Sequence, residues 1–217
     1  MTETLNEVEI RILGSLIEKE LTTPQYYPLS LNALKQACNQ KSNRDPVVEY
    51  DENTVMEGVR SLQRKGLIIV ASGAGQRVRK YLHKFKEKYF VNQKEMAILC
   101  ELMLRGPQTP GELRNRVSRM HPFPDLSEVY EVLKDLMEER ENPLVIEIPR
   151  QPGQKESRYM HLLAGEPEII FEDSGIKNHM NPNLTERLNS LESEIHLLRE
   201  ELRQLKENFE NFRRQFE

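Results

Sequence analysis

Apolar residues recur at helical spacing near the start of the chain and again 86 residues later. The first segment, from Leu5, reads LNEVEIRILGSLIEK, and the second, from Val91, reads VNQKEMAILCELMLR. In both segments the apolar positions fall on one face of an α-helix. Both also place Asn three residues before Glu, the spacing of a capping box, in which each side chain accepts from the other residue's backbone N–H. The pattern therefore predicts two equivalent helices that begin after Asn6 and Asn92.

Two further helices are predicted in each copy of the pattern. Ser30 and Thr109 are suited to cap the second helix, because a hydroxyl oxygen accepts from an unpaired N–H of the first turn. Asp51 and Asp125 are suited to cap the third helix in the same way. The apolar stripe of the third helix also recurs, at Val55, Val59 and Leu62 in the first copy and at Val129, Leu133 and Leu136 in the second.

Each third helix is followed by two short segments with β-strand character. These segments are residues 67–71 and 78–82 in the first copy and residues 144–148 and 158–162 in the second. Glycine, or proline with glycine, lies in each connection, as a hairpin turn requires. We therefore expect a two-stranded β-hairpin at the end of each copy.

Three helices followed by a hairpin is the order of elements in a winged-helix domain, in which the hairpin is the wing and the third helix can read DNA. The predicted fold class is mostly α with small β-wings (α+β). It consists of two tandem winged-helix domains, residues 5–89 and 90–165, followed by a C-terminal coiled-coil helix. The alternative is a pair of unrelated α+β domains whose patterns agree by coincidence.

Residues 166–183 are predicted to be a polar linker, and residues 184–217 the coiled-coil helix. Apolar residues of this helix alternate spacings of four and three, the period of a coiled-coil seam. The residues of the predicted dimerisation seam are Leu184, Leu188, Leu191, Ile195, Leu198, Leu202, Leu205, Phe209, Phe212 and Phe216. The flanking positions pair basic with acidic side chains in a parallel, in-register homodimer. The alternative is a single amphipathic helix that folds back onto a winged-helix domain.

The net charge of −4 is distributed unevenly along the chain. Residues 1–89 carry 14 basic and 11 acidic side chains, whereas residues 90–165 carry 10 and 12, and residues 166–217 carry 7 and 12. The positive charge is concentrated in residues 41–88, with 11 basic against 6 acidic side chains. Only the first domain therefore has a charge that attracts the phosphates of a nucleic acid.

The candidate nucleic-acid-binding residues lie on the third helix, the wing and the loop before the third helix of the first domain, three surfaces that adjoin in a winged helix. They are Lys41, Asn43, Arg44, Arg60, Arg64, Lys65, Arg77, Arg79 and Lys80. Arginine binds guanine through two hydrogen bonds, and lysine binds phosphate. The alternative interpretation is an ordinary solvated, charged face. The third helix of the second domain is acidic, which repels phosphate and favours a protein partner.

No arrangement of residues in the sequence points to catalysis or to a cofactor. The five histidines lack the spacing of metal ligands, and the glycines within residues 73–75 do not precede a helix, as a phosphate-binding loop requires. Cys38 and Cys100 lie within amphipathic patterns, where we expect buried free thiols. The N-terminus lacks the features of an export signal, and no apolar run is long enough to span a membrane. We expect a non-catalytic, cytoplasmic protein without metal or cofactor.

Two stretches of the sequence resemble the bacterial YceH family. They read LNEVEIRILGSLIEKELTTPQYYPLSLNALKQACNQKSNRDPVVEYDE and MAILCELMLRGPQTPGELRNR, and the resemblance covers about residues 5–165. It implies the tandem winged-helix fold. It implies no established activity, substrate or catalytic residue, and the coiled-coil prediction rests on periodicity alone.

Two functions of different classes remain open at this point. The first is a homodimeric, transcription-regulator-like protein that binds duplex DNA through the first domain, with half-sites about one helical turn apart. The alternative is a protein-interaction adaptor that resembles the tandem winged-helix subunits of bacterial chromosome-condensing complexes. The fold alone does not choose between them.

Overall fold

The computed structural model describes residues 4–71, 78–138, 140–150 and 155–166. They belong to one compact unit, which contains both copies of the sequence pattern; we call these repeat 1 (residues 5–89) and repeat 2 (residues 90–165). The predicted coiled coil with all of its seam residues lies outside the described residues, as do the tips of both hairpins and all but the first residue of the predicted linker.

Repeat 1 contains three α-helices and a small antiparallel sheet before a short connecting helix. In chain order its elements are α1 (Glu7–Thr22), a 3-10 turn (Pro24–Tyr26), β1 (Leu29–Ser30), α2 (Leu31–Cys38), α3 (Glu52–Arg64), β2 (Ile68–Val70), β3 (Lys80–His83) and the connecting helix α4 (Phe85–Tyr89). Repeat 2 follows with α5 (Gln93–Arg105), α6 (Pro110–Val117), α7 (Leu126–Met137), β4 (Val145–Ile148) and β5 (Arg158–His161). The predicted fold class, mostly α with small β elements, is confirmed. None of the helices in the described ranges is both long and apolar enough to cross a membrane.

The helices begin where side-chain oxygens accept from the backbone of the first turn. Six helices have the N-cap that the sequence predicts, at Asn6, Ser30, Asp51, Asn92, Thr109 and Asp125. In each case the side chain accepts from the N–H three residues further on. The capping boxes predicted for α1 and α5 are both present. A cap of this kind contributes about 1 kcal/mol, so the caps define where each element starts.

In both repeats the last strand pairs with the residue that precedes the second helix. In repeat 1, β3 is the central strand, with β2 on one side and β1 on the other, and Leu29 lies opposite Tyr81. In repeat 2, β4 pairs with β5, and an isolated bridge joins Gln108 to Tyr159. The sequence pattern does not predict β1, because a two-residue strand has no periodicity to detect. This pairing holds the start of the second helix against the hairpin in both repeats.

The two repeats join through their first helices. Every residue from 9 to 18 of α1 and from 95 to 104 of α5 is buried, and α1 packs more extensively against α5 than against any other described element. Gly14 and Cys100, equivalent positions 86 residues apart, meet at this contact, where the Cys100 thiol lies 3.3 Å from the Gly14 carbonyl oxygen. Equivalent positions in contact indicate an approximately two-fold arrangement of the repeats. Both cysteines are buried and free, as predicted.

Close helix packing also determines where α3 lies. A Cβ atom on Gly58 of α3 would lie 2.5 Å from Cδ1 of Ile12 and 3.0 Å from Cγ1 of Val8, both on α1. Val55, Val59 and Leu62 are fully buried beside this point. The opposite face of α3 is therefore turned away from the core of repeat 1.

We predict that Gly14→Ala destabilises the protein. The new Cβ would lie 3.0 Å from Cδ2 of Leu104 and 3.2 Å from Cβ of Met103, and the second of these atoms cannot rotate away. Overpacking costs about 1–3 kcal/mol, which exceeds the gain of up to about 1 kcal/mol from alanine in a helix. The free energy of unfolding, measured by urea denaturation, should fall. Gly111→Ala is the matched control, because its Cβ would meet only Thr109 Oγ1 at 4.0 Å. Equal effects of the two substitutions would contradict the close packing of α1 on α5.

Candidate nucleic-acid interface

The exposed face of α3 carries two arginines. Val55, Val59 and Leu62 are buried against the core, and Arg60 and Arg64 lie one helical turn apart on the exposed side. Residues four positions apart on a helix are neighbours on its surface. The two guanidinium groups can therefore approach the same ligand.

The N-terminal half of α3 carries the opposite charge. Asp51 caps the helix, and hydrogen bonds from Thr54 hold the pKa of its carboxyl group below the ordinary value. Glu52 and Glu57 are exposed in the first two turns. These carboxylates disfavour phosphate near the start of the helix, so a nucleic acid would meet the C-terminal half of α3.

Three of the described arginines differ from the other nine in having no side-chain partner in the described part of the chain. Among the residues that the structure describes, Arg60, Arg64 and Arg79 make no side-chain hydrogen bond or ion pair. Nine other described arginines donate to a carbonyl or pair with a carboxylate: Arg11, Arg44, Arg105, Arg114, Arg116, Arg119, Arg140, Arg150 and Arg158. The three unpartnered arginines all belong to the surface predicted to bind DNA.

Arg44 is buried, and the prediction that it contacts DNA is wrong. Its Nη2 lies 2.6 Å from Oε2 of Glu18 and its Nη1 lies 3.1 Å from Oε1, so the pair is bidentate. Nη2 also donates to the Ala37 carbonyl oxygen at 2.8 Å. Its side chain has no exposed surface. The loop residue that resembles a phosphate ligand in the sequence is therefore part of the core.

Glu18 connects the loop before α3 to repeat 2. Burial raises the pKa of its carboxyl group, but hydrogen bonds and charges from Arg44 and Arg119 outweigh burial, and the net shift is downward. Arg119, which follows α6, pairs with the same carboxylate. The backbone N–H of Asp45 donates to the carbonyl oxygen of Leu104 in α5 at 2.9 Å. The loop is thus anchored to both repeats.

Lys65, which the sequence predicts to contact DNA, is half-buried and makes contacts within the fold. Its Nζ lies 2.8 Å from Oε2 of Glu9, the capping-box residue of α1, and 2.8 Å from the carbonyl oxygen of Thr4. Repeat 2 contains the equivalent pair, in which Arg140 Nη2 lies 2.6 Å from Oε1 of Glu95. In both repeats a basic side chain that follows the third helix therefore pairs with the capping-box glutamate of the first helix.

The other predicted binding residues differ in exposure. Lys41 and Arg79 are exposed, whereas Asn43 and Lys80 are half-buried. Asn43 has a left-handed backbone with φ of 56°, a conformation that asparagine tolerates better than most residues. Lys80 lies in β3 opposite Ser30, the cap of α2. Arg77 lies outside the described residues.

The sequence interpretation missed a repeated motif in the last strand of each repeat. β3 reads KYLH and β5 reads RYMH, and the Tyr and His of both strands are buried. His83 Nε2 lies 2.7 Å from Oε2 of Glu20, and burial lowers the pKa of His161 to about 4. The motif could have been found in the sequence, because the same four-residue pattern occurs in both repeats. These histidines therefore belong to the buried interior of each repeat.

The third helix of repeat 2 presents a different surface. Glu131, Asp135 and Glu138 are exposed, and Glu128 is half-buried and pairs with Lys94. The exposed face also contains two large apolar side chains, Leu126 and Tyr130. This combination of acidic and apolar side chains does not suit a phosphate backbone.

We predict that Arg44→Met destabilises the protein by about 3 kcal/mol or more, because removing one partner of a buried ion pair leaves the other poorly compensated. Urea denaturation at neutral pH measures the loss. Since the pKa of Glu18 is lowered in the folded state, the stabilisation by the pair is present above the ordinary carboxyl pKa of 4.5. It is lost as the pH falls through the lowered value, so the difference between parent and variant should shrink there.

Arg60→Met is the matched control for this substitution, because it removes an exposed guanidinium with no partner in the described part of the chain. We expect a change within about 0.5 kcal/mol. If both variants lost the same stability, Arg44 would not be the structural residue that its contacts indicate.

Comparison with known proteins identifies the family of the chain. A family model described as "Protein of unknown function, DUF480" matches residues 5–154. A UPF0502 protein of Geotalea daltonii is 60% identical over 174 residues, which cover 80% of this chain and 79% of the relative. UPF0502 proteins of Geobacter sulfurreducens and Hahella chejuensis are 51% and 47% identical, with coverage of 98% and 94% of this chain and 98% of each relative. The chain therefore belongs to the DUF480 family.

Proposed function

We propose that the chain is a non-catalytic protein that binds duplex DNA through repeat 1 and acts as a homodimer. In this proposal each repeat is a winged helix. The third helix of repeat 1 contacts the DNA through its C-terminal half, and the hairpin of residues 68–83 is the wing that lies against the backbone.

The observation that carries the proposal is the distribution of partnered and unpartnered arginines. Nine of the described arginines lie beside carboxylates or carbonyls of the fold. Arg60, Arg64 and Arg79 have no such partner among the described residues. They keep all of their donors available for guanine edges or phosphate oxygens.

The wing contributes a second contact surface to this proposal. Arg79 immediately precedes β3, and Lys41 is exposed in the loop before α3. In a winged helix these surfaces adjoin the third helix, so phosphate contacts from them would orient α3 on the duplex. The acidic N-terminal half of α3 then faces away from the phosphates.

The homodimer is proposed from the heptad pattern of residues 184–217. A parallel pair of these helices would bring two copies of repeat 1 to one duplex. Dimeric readers of this kind bind half-sites about one helical turn apart or at a multiple of that distance. We therefore expect two chains on each bound duplex.

We predict that the purified full-length protein enriches particular fragments from a library of short genomic duplexes at near-physiological salt. Replacing Arg60, Arg64 and Arg79 together with alanine should abolish the enrichment, because a bidentate contact to guanine contributes about 1–3 kcal/mol. Each lost contact of that kind should weaken affinity for an enriched duplex about tenfold or more, as measured by fluorescence anisotropy. Light scattering of the complex should give two chains for each duplex.

The matched control replaces the same three arginines with lysine. Lysine keeps the positive charge but cannot make the forked contact to guanine. This variant should retain weak binding to all duplexes and lose discrimination between them. The proposal would be contradicted if the parent enriched no fragment, or if the alanine variant enriched the same fragments as the parent.

A second candidate function, a protein-interaction adaptor, is favoured by one observation. The third helix of repeat 2 exposes Leu126 and Tyr130 among acidic side chains. Exposed apolar residues rimmed by polar ones are typical of protein-binding surfaces. A protein can hold DNA with one repeat and a partner with the other, so this function is compatible with the first.

A further inference from the structure

We propose that a cavity in repeat 2 binds a basic side chain, arginine or lysine, of a partner protein. The cavity lies between the start of α6, the exposed face of α7 and the β4–β5 pair, and we call it the cation cavity. It has a volume of about 200 Å³. Its lining residues are Pro110, Tyr130, Glu147, Arg150, Glu156, Ser157 and Tyr159. This inference goes beyond DNA binding, because it concerns the other repeat and a different class of ligand.

Two phenol rings and two carboxylates give the cation cavity its chemistry. Tyr130 projects from α7, and Tyr159 belongs to β5. The face of an aromatic ring attracts a cation, more strongly where water is excluded. Glu147 and Glu156 are both exposed at the cavity and can accept hydrogen bonds from an ammonium or a guanidinium group. Aromatic faces combined with carboxylates are the environment that an organic cation requires.

Two further lining residues affect the charge of the cavity, and one of them, Arg150, carries the same charge as the proposed ligand. Burial, and the nearby charge of Glu147, raise the pKa of Tyr159, so its phenol stays neutral. Arg150 donates to the carbonyl oxygen of Lys155 at 3.3 Å, which holds its guanidinium across the hairpin. With two carboxylates and one guanidinium, the lining keeps a net negative charge.

The surface around the cavity has the chemistry to bind further residues of the same partner segment. Leu126 and Tyr130 are 41% and 49% exposed and lie one turn apart on α7. Glu131 and Asp135 are exposed on the same helix. An apolar pair with acidic neighbours complements a basic amphipathic segment, in which apolar side chains cover Leu126 and a basic side chain enters the cavity.

Charge argues against two other occupants of the cavity, the C-terminal residues of this chain and nucleic acid. Residues 166–217 of this chain carry 7 basic and 12 acidic side chains, so their net charge has the same sign as that of the cavity. Nucleic acid is excluded on the same ground. A basic segment of a partner protein is complementary to the cavity in charge.

The inference is tested by adding fluorescein-labelled nona-arginine to the full-length protein. Binding is measured by fluorescence anisotropy at about 0.15 M salt. We expect saturable binding by the parent. Tyr130→Ala and Glu147→Gln should each weaken it about tenfold or more. Both residues are partly or fully exposed, so the variants should keep the fold, which far-UV circular dichroism checks.

Tyr26→Ala and Glu57→Gln are the matched controls. Each removes the same kind of group from the surface of repeat 1, where Tyr26 is 72% exposed and Glu57 is exposed on α3. Both should bind nona-arginine as the parent does. No binding by the parent would overturn the inference, and so would equal weakening in all four variants, which would indicate attraction to acidic charge alone. Enrichment of DNA fragments should be the same in the parent and in Tyr130→Ala, so failure of this inference is distinguishable from failure of the DNA-binding proposal.

Discussion

The packing of α1 against α5 is the constraint on which the rest of the structure depends. Both helices are buried on every face over ten consecutive residues, so neither can present a polar side to water. A Cβ atom at Gly14 would be crowded by Leu104 and Met103 of α5, so the glycine permits the close approach of the helices. Cys100 places a small thiol at the equivalent position of α5. Each helix then organises its own repeat, because the second helix, third helix and hairpin of a repeat pack around it. The position of both third helices follows from this central pair.

Burial of these helices also decides which charged side chains are available for binding. Glu18 lies within the buried stretch of α1 and is neutralised by Arg44 from repeat 1 and Arg119 from repeat 2. A charge in such a place is costly unless it is paired and hydrogen-bonded. The fold therefore uses most of its described arginines internally. Arg60 and Arg64 are not used in this way, because the α3 face that carries them is turned away from α1.

Local patterns predicted the helices and strands of the fold, but they did not predict which charged residues are buried in ion pairs. Caps, apolar stripes and strand pairs depend on residues a few positions apart, which a sequence shows directly. The role of Arg44 depends on Glu18, 26 residues earlier, and Arg119 reaches the same carboxylate from 101 residues away. No periodicity records such a contact, so Arg44 and Lys65 resembled surface cations. The opposite characters of α3 and α7 were visible from composition, whereas the cation cavity required β5 to be placed beside α7.

The most direct measurement of the central claim is the NMR signal of the arginine side chains in the full-length protein as an enriched duplex is added. The Nε–Hε resonances of Arg60, Arg64 and Arg79 should shift, because these groups have no partner among the described residues and would acquire one on DNA. Those of Arg44 and Arg119 should stay in place, since Glu18 already holds them. Shifts confined to the arginines of repeat 2, or no shift at Arg60 and Arg64, would contradict the account.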